Sequence, residues 1–249
     1  MSGHSKWATI KRKKGKADDA RGRAFTKLIK EIVVAARAGG GDPDSNSHLR
    51  TVIDKAKSAN MPVENVTRAI KRGTGELEGV TYEEVHYEGY GAGGVAVLVE
   101  GLTDNKNRTI SDVRHIFTKN AGTIAENGAV GWVFESMGLI TVDKSVDEET
   151  VFMTAIEAGA EDVDTEGEEY EITCPLSEFE AVKKAMTDAG FEMTTSEPTR
   201  LPSNTVKIEG KQAEQVLRLI DALEENDDIQ KVYANFDIDM EEMAALMEE

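Results

Sequence analysis

Residues 1–37, MSGHSKWATIKRKKGKADDARGRAFTKLIKEIVVAAR, join a basic arm to an amphipathic helix, and the chain is organised around them. The arm carries six Lys and Arg side chains before its first acid, Asp18, and a single aromatic residue, Trp7. Apolar side chains then recur three and four residues apart from Phe25 to Ala36, which predicts a helix with one buried face. The stretch therefore predicts a small helical domain behind a positively charged terminus.

Two more helices are predicted to follow. Gly39–Gly41 ends the first helix, and Asp42-Pro43 is typical of a helix start because proline is favoured at the first helical position. Met61-Pro62 ends the second helix, and the third runs from Pro62 to Arg72. The outer faces of this three-helix bundle are expected to carry Arg21, Arg23, Lys27, Lys30, Lys55, Lys57, Arg68, Lys71 and Arg72.

The charge of the chain is divided unequally. Its 249 residues have a net charge of −18, yet residues 1–72 carry 17 Lys and Arg against 7 Asp and Glu. Residues 73–249 carry 12 against 40. This asymmetry indicates a basic nucleic-acid-binding module on an acidic body that discourages indiscriminate contact with polyanions.

After residue 73 the pattern alternates strands and single helices. It predicts an α+β fold: the N-terminal three-helix bundle plus two small α/β-sandwich (ferredoxin-like) domains, one inserted in the other. Two sequential domains are the alternative that the spacing leaves open. Strands are predicted at 84–90, 95–102, 131–135, 139–142, 162–164, 170–173, 192–195 and 232–238, and helices at 109–120, 147–158, 176–189 and 211–225.

The predicted domain boundaries follow from this pattern. Residues 1–78 form the basic helical domain, and 79–136 together with 204–240 form a discontinuous α+β domain. Residues 137–203 are the inserted acidic α+β domain, and 241–249 are an acidic tail.

Motifs for enzymatic chemistry are weak, so we predict no enzyme, no metal and no cofactor. Residues 89–94 match G-x-G-x-x-G, but a strand rather than a helix is predicted after them, which favours a hairpin turn. Residues 162–167 resemble the start of a calcium loop but lack its closing Glu. The four His residues are scattered along the sequence, which does not suggest a zinc site. Cys174 is the only cysteine, so no internal disulfide can form, which fits a reducing cytoplasm, and it is expected to be a small core residue. An enzyme with an acidic cleft is a remote alternative.

Nucleic acid is the predicted partner, held mainly by phosphate contacts. Lys and Arg bind phosphates and release counterions, and Trp7 offers a ring for stacking on a base. The third helix offers only Asn65 as an amide for reading bases, which favours phosphate binding and suits RNA as well as DNA. A solvated leader without function is the alternative for the arm. The predicted binding residues are Lys6, Trp7, Lys11, Arg12, Lys13, Lys14, Lys16, Arg21, Arg23, Lys27, Arg68, Lys71, Arg72, Lys106 and Arg108.

Several motifs resemble the YebC/PmpR family in order along the whole chain. Ala92 departs from the family, which usually has proline after Gly-Tyr-Gly. The motifs are GHSKW (3–7), IKRKK (10–14), FTK (25–27), GGGDP (39–43), YEGYG (87–91), NKNRT (105–109), LPS (201–203) and VYANFD (232–237).

The resemblance implies three domains and a cytoplasmic, non-enzymatic protein. No membrane segment is predicted, because no apolar run approaches the roughly 18 residues of a spanning helix. The resemblance also implies a DNA-binding transcriptional regulator, while some members, including mitochondrial relatives, resemble translation factors that act at the ribosome. A ribosome-associated or ribosomal-RNA-associated translation factor is therefore the alternative function. A protein partner bound through the acidic domains is also expected. The family's basic residues correspond here to Lys6, Lys11, Arg12, Lys13 and Lys14.

Overall fold

The computed structural model describes the backbone of residues 17–248 and the side chains of 21–239 and 241–246. By its contacts the described chain divides into two units. The first contains residues 17–129 and 210–232, and the second contains 130–209 and 233–248.

The first unit begins with the three predicted helices. They are α1 (Ala17–Gly39), α2 (Ser47–Ser58) and α3 (Val63–Gly73). Their apolar faces form one core around Ile32, Leu49 and Ala69. Burial of this stripe supplies most of the stability of short helices, which are marginal by themselves in water.

The predicted start of the second helix is wrong. Asp42 and Pro43 lie in a turn, and the helix begins four residues later, capped by Asn46. The Asn46 carboxamide is buried: it accepts a hydrogen bond from the Leu49 amide at 3.0 Å and donates to the carbonyls of Ala35 and Gly40. One side chain therefore caps the start of α2 and satisfies carbonyls at the end of α1.

The first unit continues as a four-stranded sheet packed with two helices. The strands are β1 (Glu83–Tyr90), β2 (Ala96–Thr103), β3 (Thr123–Ala125) and β9 (Ile229–Ala234), in the order β3-β1-β2-β9, and β9 continues two residues past the end of the unit at 232. The helices are α4 (Lys106–Lys119) and α7 (Gly210–Glu224). Val97, Val99, Phe117, Leu219 and Ile220 are among its buried side chains.

β1 and β2 form an antiparallel hairpin from Glu83↔Thr103 to Tyr90↔Ala96. The glycine-rich segment is its loop, and Gly93 and Gly94 have positive φ, as the prediction of a hairpin turn requires. A strand, not a long helix, follows the loop, so it lacks the helix N-terminus that a dinucleotide site needs.

The second unit contains a complete β-α-β-β-α-β segment. It runs through β4 (Phe134–Asp143), α5 (Glu148–Glu157), β5 (Asp162–Asp164), β6 (Glu169–Pro175), α6 (Phe179–Asp188) and β7 (Met193–Pro202). The strands form one sheet in the order β5-β6-β4-β7, antiparallel at every pair. This is the ferredoxin-like arrangement, and it lies in sequence between two parts of the first sheet, as predicted.

Two strand predictions in this region are wrong. Residues 131–133 form a 3₁₀ turn, and 134–143 form one continuous strand across the predicted turn at 136–138. Gly138 is required by packing, because a Cβ there would lie 2.8 Å from the Cys174 sulfur.

The predicted strand 232–238 is instead divided: β9 ends at Ala234, and β10 (Phe236–Asp237) pairs in parallel with β8 (Val206–Lys207). The acidic residues after 240 form α8 (Met240–Glu248), in which Met243 is buried.

Replacing Asn46 with Ala should lower the free energy of unfolding by about 2–3 kcal/mol, because a cap is lost and buried carbonyls lose their donor. Urea unfolding followed by circular dichroism measures the change. Asn65→Ala, on the half-buried side of α3, should change it by no more than about 0.5 kcal/mol. Equal effects of the two substitutions would contradict the role given to Asn46.

Candidate nucleic-acid interface

A basic stripe of α1 packs against the acidic segment 224–228, EENDD, within the first unit. Arg23, Lys27 and Lys30 are spaced four and three residues apart, so they share one face of the helix. Arg23 forms an ion pair with Glu225 at 3.5 Å, and Lys27 donates to the Glu224 carbonyl at 2.7 Å. This stripe therefore attaches the helical bundle to the α+β part of the unit.

The predicted position of Lys30 on the outer face of the bundle is wrong, because the residue is buried and only 7% exposed. Its ammonium group donates to the Asp228 carboxylate at 2.6 Å and to the carbonyls of Asp227 and Leu102 at 2.9 and 3.3 Å. All three donor hydrogens of the ammonium thus have acceptors, as a buried lysine requires.

Asp228 gathers further donors from α4. The Arg108 guanidinium lies 2.8 Å from its second oxygen, and the Thr109 hydroxyl donates to that oxygen at 2.7 Å. Burial by itself would raise the pKa of Asp228, but the hydrogen bonds from Lys30, Arg108 and Thr109 outweigh it and lower the pKa to about 2. The carboxylate is therefore ionised and fully engaged.

The backbone of Asp228 is also held. Its carbonyl accepts from the Leu102 amide at 2.8 Å. A Cβ on Gly101 would lie 2.5 Å from the same carbonyl oxygen, so only glycine permits the approach. We call Lys30, Arg108, Thr109 and Asp228 the ionic cluster.

An open polar cavity of about 390 Å³ adjoins the ionic cluster. Asp104, Asp112 and Asp227 line it together with cluster residues and Tyr82, whose ring centroid lies 5.5 Å from the Lys30 ammonium. Its charge is predominantly negative, which disfavours phosphate there.

The other basic residues of the middle domain are also paired. Lys106 forms an ion pair with Glu83 at 2.6 Å, and Arg108 binds Asp104 at 2.7 Å besides Asp228. Ionised partners raise the pKa of Arg108 further above its ordinary value. A phosphate contact by Lys106 or Arg108 stays a prediction, and it would compete with these carboxylates.

The third helix presents a different surface. Arg68, Lys71 and Arg72, three and four residues apart, are all exposed, and the described residues supply no ion-pair partner for them. On the opposite side α3 packs closely on α1, because a Cβ on Gly73 would lie 2.7 Å from that of Ala36. We call these three side chains the α3 basic face.

The remaining predicted residues are placed as follows. Arg21 is exposed at the start of α1, with its guanidinium 6.0 Å from the centroid of the Phe25 ring. The predicted contacts of the arm lie outside the described residues; they are Lys6, Trp7, Lys11, Arg12, Lys13, Lys14 and Lys16.

Sequence reasoning missed the ionic cluster. A usable signal was present: the acidic run 224–228 carries charge opposite to the stripe Arg23, Lys27 and Lys30. Contact between segments almost 200 residues apart cannot be derived from helical periodicity, however, because periodicity identifies a face and not its partner.

An α+β protein with a basic helical bundle is thus the class defined by the fold and this surface. The model of the TACO1/YebC N-terminal domain matches residues 5–76, and that of the TACO1/YebC second and third domain matches 82–236. The chain belongs to the TACO1/YebC family, which confirms the resemblance seen in its motifs.

Curated relatives carry a consistent name. A probable transcriptional regulatory protein of Geobacter sp. strain M21 is 59% identical over 247 residues, covering 99% of this chain and 100% of that protein. One of Geobacter sulfurreducens is 58% identical with the same coverage. A crystal structure of a conserved hypothetical protein, Aq1575 from Aquifex aeolicus, has 48% identity and a TM-score of 0.82, covering 90% of this chain and 94% of that one.

The part of the chain that the structure describes has neither a metal-ligand group nor a membrane-spanning helix. Among residues 21–239 and 241–246, whose side chains the structure describes, no group of three or more His, Cys, Asp and Glu is arranged to hold a metal ion. Between residues 17 and 248, no helix has both the length and the apolar character to span a bilayer.

Acidification should lower the free energy of unfolding because it protonates Asp228. Because the pKa of Asp228 is depressed on folding, its contribution is present above the unfolded value near 3.8 and is lost as the pH falls towards about 2. The expected loss is about 2 kcal/mol of the free energy of unfolding, measured by urea unfolding across this range. Asp228→Asn should be less stable at pH 7 and should lose less on acidification.

Asp54→Asn is the matched control, because Asp54 pairs with Lys57 on an exposed helix surface. It should change the free energy of unfolding by less than about 1 kcal/mol at any pH. An Asp228→Asn variant with the same pH dependence as wild type would refute the assigned pKa shift.

Proposed function

We propose that this chain is a non-enzymatic, cytoplasmic, DNA-binding regulator of transcription that holds its nucleic acid by the phosphates. The α3 basic face and the arm of residues 1–16 supply the positive charge. The observation that carries the proposal is the exposure of Arg68, Lys71 and Arg72 on one helix face without an internal counter-ion among the described residues. The names of the relatives support a role in transcription.

The basic residues of the bundle differ in whether they contact the protein itself, and this difference supports a phosphate-binding mode. Arg23, Lys27 and Lys30 are committed to the acidic segment 224–228, so the positive charge left on the bundle lies mainly elsewhere. Bidentate base reading usually needs Asn, Gln or Arg at the front of a helix in the major groove. The front of α3 offers only Asn65, which is half-buried, so phosphate contacts are the better-supported mode.

Enzymatic use of the polar cavity is less well supported. A general base needs a pKa near the working pH, whereas hydrogen bonds hold the pKa of Asp228 far below it. Its carboxylate already accepts from Lys30, Arg108 and Thr109. This geometry suits a structural anchor better than a catalyst.

Changing Arg68, Lys71 and Arg72 together to Ala should weaken binding to a fluorescent duplex of random sequence. If all three contact phosphates, the slope of log Kd against log salt should become shallower by about 2–3 units. Fluorescence anisotropy at several salt concentrations measures this slope. The control removes the same charge from the acidic domain, by Lys144→Ala, Lys183→Ala and Lys184→Ala together, and should leave the slope unchanged. Equal slopes for both triple variants would contradict the α3 assignment.

Changing Lys11, Arg12, Lys13 and Lys14 together to Ala tests the arm in the same assay. The expected slope is shallower by up to about 3–4 units, if all four contact phosphates. The melting temperature should not change, because solvated charges contribute little to folding. An unaltered slope would leave the arm without its assigned role.

The choice of polymer is tested separately. Retention of a promoter duplex over a random duplex at physiological salt supports the transcriptional role. Co-sedimentation with ribosomes that withstands DNase but not RNase, with no preference among duplexes, would replace it by the translation-factor alternative.

A further inference from the structure

Helix α5 of the second unit has apolar side chains on two faces. Val151 and Ala155 are fully buried in the core of the ferredoxin-like sheet. Phe152, Met153 and Ile156 are instead 43%, 50% and 39% exposed. A surface helix normally has polar side chains on the face away from the core, so α5 has an additional apolar face without a partner in the described chain.

These three exposed residues form a contiguous surface. Met153 and Phe152 lie three and four residues before Ile156, which places all three on one side of the helix. We call this surface the outer apolar face. Single exposed apolar residues are ordinary, whereas a group on one face indicates a contact site. Aromatic and Met side chains are also enriched in protein interfaces.

The fold does not need this face for its own stability. The Asp147 side chain accepts from the Thr150 amide at 2.9 Å and caps the helix start. The core of the sheet is filled from the other side by Val151, Ala155 and their neighbours. Packing of the domain core therefore does not account for Phe152 and Met153.

Acidic side chains surround the outer apolar face. Glu148 and Glu149 lie at the start of α5, and Glu157 lies at its end. Glu178 packs beside the turn that follows the helix, since a Cβ on Gly159 would lie 3.3 Å from its side chain. Residues 134–202 as a whole carry 18 Asp and Glu against 4 Lys and Arg.

The lysines of this segment are occupied elsewhere and do not neutralise the rim. Lys184 pairs with Asp188, and the Lys183 ammonium lies 5.9 Å from the centroid of the Phe179 ring. Lys144 donates to the Thr165 carbonyl and lies over the Tyr170 ring. The surface is thus an apolar strip within a field of negative charge.

We propose that the outer apolar face binds a basic amphipathic helix of a partner protein. The partner's apolar side chains cover Phe152, Met153 and Ile156, and its Lys and Arg side chains contact Glu149, Glu157 and Glu178. Negative charge argues against phosphate polymers and anionic membranes at this site. The outer apolar face and the proposed nucleic-acid surface therefore favour ligands of opposite charge.

The test uses the full chain and a fluorescently labelled synthetic helix of Leu and Lys, with Leu on one face. A peptide of the same composition with its Leu residues dispersed is the control for charge alone. Anisotropy should show that the amphipathic helix binds at least tenfold tighter than the dispersed peptide. Met153→Gln with Ile156→Gln should remove that preference, and Glu149→Gln with Glu157→Gln should weaken binding and its salt dependence. Val80→Gln, at a half-exposed apolar residue of the first unit, should have no effect.

Other outcomes overturn the proposal. Equal affinity for both peptides, or no effect of the Met153/Ile156 change, would leave only charge attraction. Tighter binding of a peptide of residues 1–16 to this face would make the chain's own arm the occupant. Self-association in sedimentation velocity that the Met153/Ile156 change abolishes would make it a second copy. Circular dichroism of each variant verifies that the helix is retained.

Discussion

The ion pair between Lys30 and Asp228 is the interaction on which the first unit depends. It joins α1 to the segment before β9, and through Leu102, Arg108 and Thr109 it reaches β2 and α4. A buried ion pair stabilises a fold only when its remaining hydrogen-bonding groups are satisfied, because removing charges from water costs several kcal/mol. Here the donors of Lys30 are satisfied and Asp228 accepts from several groups, so the pair also sets where the bundle lies against the sheet of its own unit.

This constraint divides the basic residues into two kinds. Arg23 and Lys30 pair with carboxylates of the same unit and Lys27 donates to the Glu224 carbonyl. Arg68, Lys71 and Arg72 are instead exposed on α3. A count of positive charges in residues 1–72 treats them alike and overstates the charge available to phosphates. The acidic body has a structural role in this picture, since part of its charge holds the basic domain in place.

Periodic segments were predicted well, and errors arose where a residue serves a distant partner. Helices α3 and α7 lie close to their predicted positions. Helix α1 ends where predicted but begins at Ala17, eight residues before its apolar pattern starts at Phe25. Gly138 was predicted to lie in a turn but lies inside β4. Glycine is needed there because the Cys174 and Phe179 side chains occupy the space that a Cβ would fill. Asn46, not Asp42-Pro43, starts α2, because its carboxamide also reaches the end of α1. The neighbouring sequence predicts neither the packing role of Gly138 nor the hydrogen bonds of Asn46 to α1, because both depend on residues in other elements.

Local order and charge were decided by the sequence: the amphipathic helices, the alternating strands, the basic start against an acidic remainder, and the motifs of the TACO1/YebC family. The physical reason is that periodicity, turn chemistry and charge are properties of neighbouring residues. Tertiary structure alone decided which basic side chains bind acceptors within the protein, that Lys30 is buried, and that α5 exposes a second apolar face. Burial and pairing depend on segments far apart in the chain, and only their folded juxtaposition assigns each charge a partner.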